Sequence, residues 1–362
     1  MAMISYGFGG AHPQRHGPRS WSHLRALRHR PPGRANRGMR KAEFDAALEQ
    51  GEQLLYAAGT VGPATSPILL FYGIAQLGRA ISAASTNLNN DQFQSSGHGL
   101  VVKSMDGVAD RGVSTLQIVG LQNQGSHAVM ARALNACPLT REVDLGALWA
   151  LLDLDGLPLP GAQTKHPQLE LRSVGGWIQG SNSYDYWPVV EAVLPSAETR
   201  HPTAEYSEPE LTAELRTTYP QLVAHRMSDD APDRSFRQES LRGELISHDP
   251  VMRFDVTEGK SFADVCREAA AVLGGVAYVH PDLCDCGKQT HPFLLWWEIL
   301  YALSRLARYK PREWTHLIDV SRHSNAAPIE AALRASAIWM PELALSALGR
   351  AVAPEGAGVS AA

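Results

Sequence analysis

Two apolar segments far apart in the chain constrain its fold more than any other feature. They are "SPILLFYGIAQLGRAISAAS" at 66–85 and "HPFLLWWEILYALSRLARY" at 291–309. At helical spacing, Leu70, Ile74, Leu77 and Ile81 form one stripe, and Leu295, Ile299, Ala302 and Leu306 form another. Each helix is apolar around most of its circumference, so both are expected to be buried. Each also carries a narrow polar line: Tyr72, Gln76, Arg79 and Ala83 on the first, Glu298, Tyr301, Arg305 and Arg308 on the second. No run reaches the roughly 18 uninterrupted apolar residues of a membrane span. The first segment fails at Gln76 and Arg79, so it is expected to be a core helix and no membrane association is expected.

An arginine carried into a core needs a partner, because an isolated charge in low dielectric is very costly. Two readings satisfy that need. In one, Arg79, Arg305 and Arg308 converge on an anionic ligand such as a phosphate, helped by Tyr72 and Tyr301, since arginine forks match phosphate geometry. In the other, Glu298 neutralises one arginine and the remaining stems reach solvent. Tyr72, Arg79, Glu298, Tyr301, Arg305 and Arg308 are therefore the candidate ligand-binding residues.

The net charge of −4 conceals an asymmetry. Residues 1–41 hold eight arginines and one lysine with no acidic residue, which leaves 24 basic against 37 acidic residues in 42–362, a charge of −13. The leading segment is rich in Pro, Gly, Arg and His and lacks apolar periodicity, so residues 1–41 are expected to form a disordered basic leader. Residues 42–352 are expected to form a single body, and 353–362 a frayed tail. The absence of a secretory signal and the presence of four cysteines point to a reducing cytoplasm.

The fold class expected is mainly α within an α+β scheme. "EFDAALEQGEQLLYAAG" reads as a helix, while "LVVKSM" and "STLQIVGL" read as a β-hairpin, followed by a short helix at 145–155. "LELRSVGGWI", "WPVVEAVL" and "VMRFDVT" read as strands of a mixed middle region. The last third reads as consecutive helices forming a bundle, with Pro311, Pro328 and Pro341 at their boundaries.

"SPILLFYGIAQLGRAI" with "GHGL" at 97–100 resembles the first signature of the YaaC-like family of bacterial proteins. "HPFLLWWEILYALSRLARYKPREW" and "APIEAALRASAIWMPEL" resemble its C-terminal signature, in the same order and spacing. That family is biochemically uncharacterised, so the resemblance implies a fold and little chemistry. The opening helix and its "HGL" are similar, more distantly, to the helical HEPN superfamily of ribonucleases and nucleotide-binding proteins. Its active members carry an Arg and a His about four to six residues apart that act on RNA. Arg242 and His248 in "RGELISH" have that spacing, and with His98, flanked by two glycines in "SSGHGL", they are the weak catalytic candidates. The glycines around His98 suit either a close backbone approach or a turn with positive φ.

No metal site is expected. "YVHPDLCDCGKQTHP" does offer His280, Cys284, Cys286 and His291 as zinc candidates, but Cys-x-Cys grips one ion awkwardly and His291 is placed to cap the helix it begins. The aspartate pair in "LLDLDGLP" reads as a helix-end turn. No phosphate-loop, dinucleotide, nucleophile-elbow or His-Glu-x-x-His motif is present, which disfavours the common enzymes built on them. The expected function is binding of a nucleic-acid or nucleotide phosphate, in phage defence or RNA processing. The alternative is a non-catalytic scaffold subunit engaging a protein partner or a second copy of itself. Whether the chain is an enzyme stays open; if it is, a HEPN-like ribonuclease is the first expectation.

Overall fold

A computed structural model describes residues 13–122, 124–152, 154, 157–164, 166–177, 186–193, 217–220, 226–227, 251–255, 271–273 and 276–352. The chain is mainly helical and divides into two compact units. The first is discontinuous in sequence, joining residues up to Lys165 with residues from Thr290 onward. The second runs from His166 to Gln289. Strand pairings gather the middle of the chain on itself to make the second unit.

In the first unit, α1 (Pro13–His29), α2 (Gly38–Ala58) and α3 (Ser66–Ala84) are followed by β1 (Leu100–Lys103), the one-turn helix α4 (Val108–Arg111) and β2 (Gln117–Gly120). Then come α5 (Gly125–Leu134), β3 (Val143–Asp144) and α6 (Leu145–Trp149). After the second unit the chain returns as α7 (Pro292–Tyr309), α8 (Pro311–Leu317) and α9 (Ala326–Val352). The expected hairpin exists: β1 pairs antiparallel with β2 from Leu100–Gly120 to Lys103–Gln117, and β3 extends the sheet beyond β2.

The two apolar helices pack on one another, as their patterning requires. Leu70, Ile74, Leu77 and Ile81 of α3 and Leu295, Ile299, Ala302 and Leu306 of α7 are all buried. Phe71 meets Trp297 edge-on with ring centroids 6.3 Å apart. Gly78 permits the close approach: a Cβ there would lie 2.3 Å from the Trp297 ring. By length and composition α3 could cross a membrane, yet most of it is buried among the other helices.

The basic leader departs from expectation. Residues 13–29 are helical, and α1 packs on α9 and α2 through the buried Leu24. Its charges are met by acids outside the segment: Arg25 pairs with Glu52 and Arg28 with Glu49, both on α2. Counting the leader's charge apart from the body hid this complementarity. Arg40, at the leader's end, is buried at the C-terminus of α3.

A second departure is at Pro341. It was expected to separate two helices, but α9 continues through it. A mid-helix proline forfeits one backbone hydrogen bond and costs about 3 kcal/mol. Trp339, Met340, Leu343, Ala344, Ala347 and Leu348 are buried around it, and that apolar burial exceeds the loss. Pro328 lies in the first turn of the helix, where proline is tolerated.

In the second unit a six-stranded antiparallel sheet has the order β6-β7-β5-β4-β9-β8. The expected strands appear as β4 (Leu169–Trp177), β5 (Tyr186–Val193) and β7 (Val251–Asp255), joined by β6 (Arg226–Met227), β8 (Ala271–Leu273) and β9 (Val276–Val279). The tail at 353–362 lies outside the described residues.

Candidate functional site

The polar lines of α3 and α7 meet where the loop after α3 turns toward β1. Gly97 and Gly99 both have positive φ, which leaves His98 between them. The backbone there is clamped to the start of α5: Ser126 N donates to Gly97 O at 3.0 Å, and His127 N donates to His98 O at 3.1 Å. A Cβ on Gly99 would lie 2.2 Å from Gln124 O. Both readings of the flanking glycines therefore apply, since the turn needs positive φ and the close approach is to α5.

The imidazole of His98 is half-buried in an aromatic cage. Its ring centroid is 4.9 Å from that of Phe71, 5.7 Å from Tyr301 and 6.0 Å from Tyr72. Tyr301 is fixed by donating its hydroxyl to Leu100 O at 2.8 Å. Arg308 donates through Nη1 to the Tyr72 hydroxyl at 3.0 Å, which ties α7 to α3. The Arg305 and Arg308 guanidinium groups lie 4.1 and 5.1 Å from the ring centroid of the exposed Tyr309. Burial lowers the His98 pKa below its ordinary 6.5, and the positive charges of Arg308, Arg305 and Arg79 lower it further. The imidazole is therefore neutral at pH 7.

Three arginines thus act on one histidine, and none has a carboxylate within ion-pair distance among the described residues. Arg79 is exposed and lines a cavity of about 430 Å³ with Glu43, Phe93 and the loop residues Gln94 to Ser96. The Arg305 Nε is buried without a hydrogen-bond partner.

Glu298 does not belong to this group. Its side chain and that of His127 are each 1% exposed, and His127 Nε2 lies 2.8 Å from Glu298 Oε1. Burial raises the Glu298 pKa, and His127 opposes that rise. The reading in which Glu298 neutralises an arginine is corrected: one turn nearer the start of α7, it is sealed in the core with a histidine from α5. A lone acid in so apolar a helix demands a partner, but nothing in the sequence singled out His127.

Of the metal candidates, His291 is the N-cap of α7, its Nδ1 accepting from Phe293 N at 3.1 Å. In the second unit, Asp282 organises the cysteine loop. Its carboxylate accepts from Cys284 N at 2.9 Å and Gly287 N at 2.6 Å, with Cys286 Sγ at 3.5 Å. His280 is buried, which lowers its pKa to about 4, so it is neutral. Arg242 and His248, and the aspartates of "LLDLDGLP" at 153 and 155, lie outside the described residues.

The chain belongs to the YaaC-like family: the sequence model described as YaaC-like Protein matches residues 22–348. That match begins inside the basic leader, in keeping with the packing of α1. No curated protein and no solved structure matches the chain.

Proposed function

We propose that this protein binds the phosphate of a nucleotide or nucleic acid at Arg79, Arg305, Arg308, Tyr72 and His98. One observation carries the reading: Arg308 is tied to Tyr72 of the cage around a half-buried histidine that also feels the charges of Arg305 and Arg79, and no carboxylate is paired to any of the three among the described residues. Arg25 and Arg28, by contrast, are matched by glutamates of α2. Guanidinium forks and a tyrosine hydroxyl supply the N–H and O–H donors that phosphate oxygens accept from. His98, being neutral, adds one donor or one acceptor and no charge.

The test is a titration of labelled oligouridylate, with wild type compared against Arg305→Ala and Arg308→Ala. Both arginines are only partly buried. The variants are expected to keep the wild-type circular dichroism and to lose tenfold or more in affinity. A folded double variant that binds as wild type does would refute the proposal. The scaffold reading rests on the same surface, because the exposed Tyr309 flanked by Arg305 and Arg308 has the composition of a protein-binding hot spot. An acidic polyglutamate peptide that binds as tightly as the oligonucleotide would favour it.

A further inference from the structure

A second cationic cleft lies at the C-terminal end of α3, built by the stretch that the sequence suggested was a disordered leader. Its volume is about 870 Å³, and its lining includes Arg34, Arg37, Arg40, Asn36 and Asn90 with no Asp or Glu. Arg40 is structural. Its guanidinium donates to Ala83 O, Leu88 O and Asn89 O at 2.9, 2.7 and 2.6 Å and to Asn90 Oδ1 at 3.2 Å. It covers the ring of the buried Phe93, 4.4 Å from the centroid. Burial and the neighbouring charge of Arg34 lower its pKa, as expected where cations face each other without an acid between them. Arg34 donates one Nη to Leu88 O at 2.7 Å and has donors to spare. The Arg37 side chain is exposed and makes no hydrogen bond or ion pair among the described residues.

This cleft neighbours the cavity that Arg79 lines. Phe93 lines both it and the Arg79 cavity, and Arg79 in turn acts on His98. The polar line of α3 sets the scale. Tyr72, at the Arg308 end, and Ala83, whose carbonyl Arg40 holds, are 11 residues apart on one helix face. At 1.5 Å per residue they are separated by about 16 Å. One phosphate cannot reach both ends. A stacked single strand, with about 3.4 Å between successive phosphates along its axis, covers that span in about five to six nucleotides. That is the lower end of single-strand site sizes.

We propose that the cleft of Arg34 and Arg37 is a second phosphate subsite, and that the ligand is a single-stranded nucleic acid running along α3 from the Arg305–Arg308 cluster. The inference rests on the phosphate-binding reading above and adds the class and length of the ligand. Labelled oligouridylates of two and eight nucleotides are titrated into the full chain, the Arg34→Ala/Arg37→Ala variant and the Arg305→Ala/Arg308→Ala variant. Wild type is expected to bind the octamer at least tenfold more tightly than the dimer. The Arg34→Ala/Arg37→Ala variant is expected to lose about fivefold on the octamer and nothing on the dimer. The slope of log affinity against log salt should fall by about 1.4, at about 0.7 for each of two lost contacts. Should Arg34→Ala unfold the protein, Arg37→Ala alone provides the test, since the Arg37 guanidinium bonds to nothing among the described residues.

Equal binding of dimer and octamer overturns the inference, as does wild-type octamer binding by the folded Arg34→Ala/Arg37→Ala variant. Equal competition by polyglutamate overturns it in favour of an acidic protein. If these results come with a loss of dimer binding in Arg305→Ala/Arg308→Ala, the phosphate site stands and only the strand path falls. If wild type binds neither oligonucleotide, both readings fall.

Discussion

Arg40→Met is the most informative single perturbation of the fold. The methionine retains the apolar stem over Phe93 and removes the guanidinium that closes the end of α3. Three short bonds are lost, to Ala83 O, Leu88 O and Asn89 O, together with longer ones of 3.4 Å to Ser82 O and Ser85 O. A hydrogen bond from a charged group contributes about 1.5–3 kcal/mol, so three would give about 4.5–9 kcal/mol. That sum overstates the loss, because Leu88 O keeps Arg34 as a donor and Asn89 is exposed to water. A cost of about 3–5 kcal/mol remains, most of it from carbonyls left without a donor at the helix end. Arg40→Lys keeps the charge but cannot fork across several carbonyls, and is expected to cost about half as much. Urea unfolding followed by tryptophan fluorescence reads this directly, because Trp149, Trp296, Trp297, Trp314 and Trp339 are all buried in the helical unit. With m of about 2–3 kcal/mol/M, Arg40→Met should lower the midpoint by roughly 1–2 M without changing m. A loss below about 1 kcal/mol would refute the reasoning, since water would then be serving those carbonyls equally well.

Three other outcomes follow from the same geometry. The raised Glu298 pKa means that the folded state holds its proton more tightly than the unfolded chain. Its contribution to stability is complete below the ordinary carboxyl value of 4.5 and is lost as pH rises through the folded-state pKa. Glu298→Gln should therefore flatten the fall in stability above pH 4.5 in denaturation series, whereas His127→Ala, which strands a buried carboxyl, should cost about 3–5 kcal/mol. Arg308→Ala should raise the His98 pKa, because a repelling positive charge is removed; imidazole proton shifts across a pH titration would show it. Gly78→Ala gains about 1 kcal/mol of helix propensity but drives a methyl against the fully buried Trp297 ring. With overpacking costing about 1–3 kcal/mol, thermal melts should show a net destabilisation.

Hydrophobic periodicity made the architecture legible. The stripes on α3 and α7 predicted two buried helices that would pack together, and alternation located the hairpin and three strands of the larger sheet. The polar line of α3 brings Tyr72 beside His98, and that of α7 brings Tyr301 there and Arg308 onto Tyr72, because residues seven apart on a helix share a face. Contacts between distant segments were not legible. The acids that order α1 lie on α2, the carbonyls that hold Arg40 belong to the end of α3 and the loop after it, and the partner of Glu298 is a histidine 171 positions away. Pro341 misled for a related reason: local propensity marks a helix end there, and only the burial around it keeps the helix going.

The discontinuity of the helical unit also bears on how the protein is made. During synthesis α3 can pack at once on α2, but its other partner α7 is not complete until residue 309, 225 residues after α3 ends at Ala84. At about 5–20 residues per second, the side of α3 that faces α7 waits roughly 10–45 s. The nascent chain thus has a long interval in which the α7-facing side of its most hydrophobic helix is open to chaperones or to aggregation, and during which the inserted β unit can form first. Synthesis order, through the placement of one insertion, makes the core of the helical unit the last part of this protein to close.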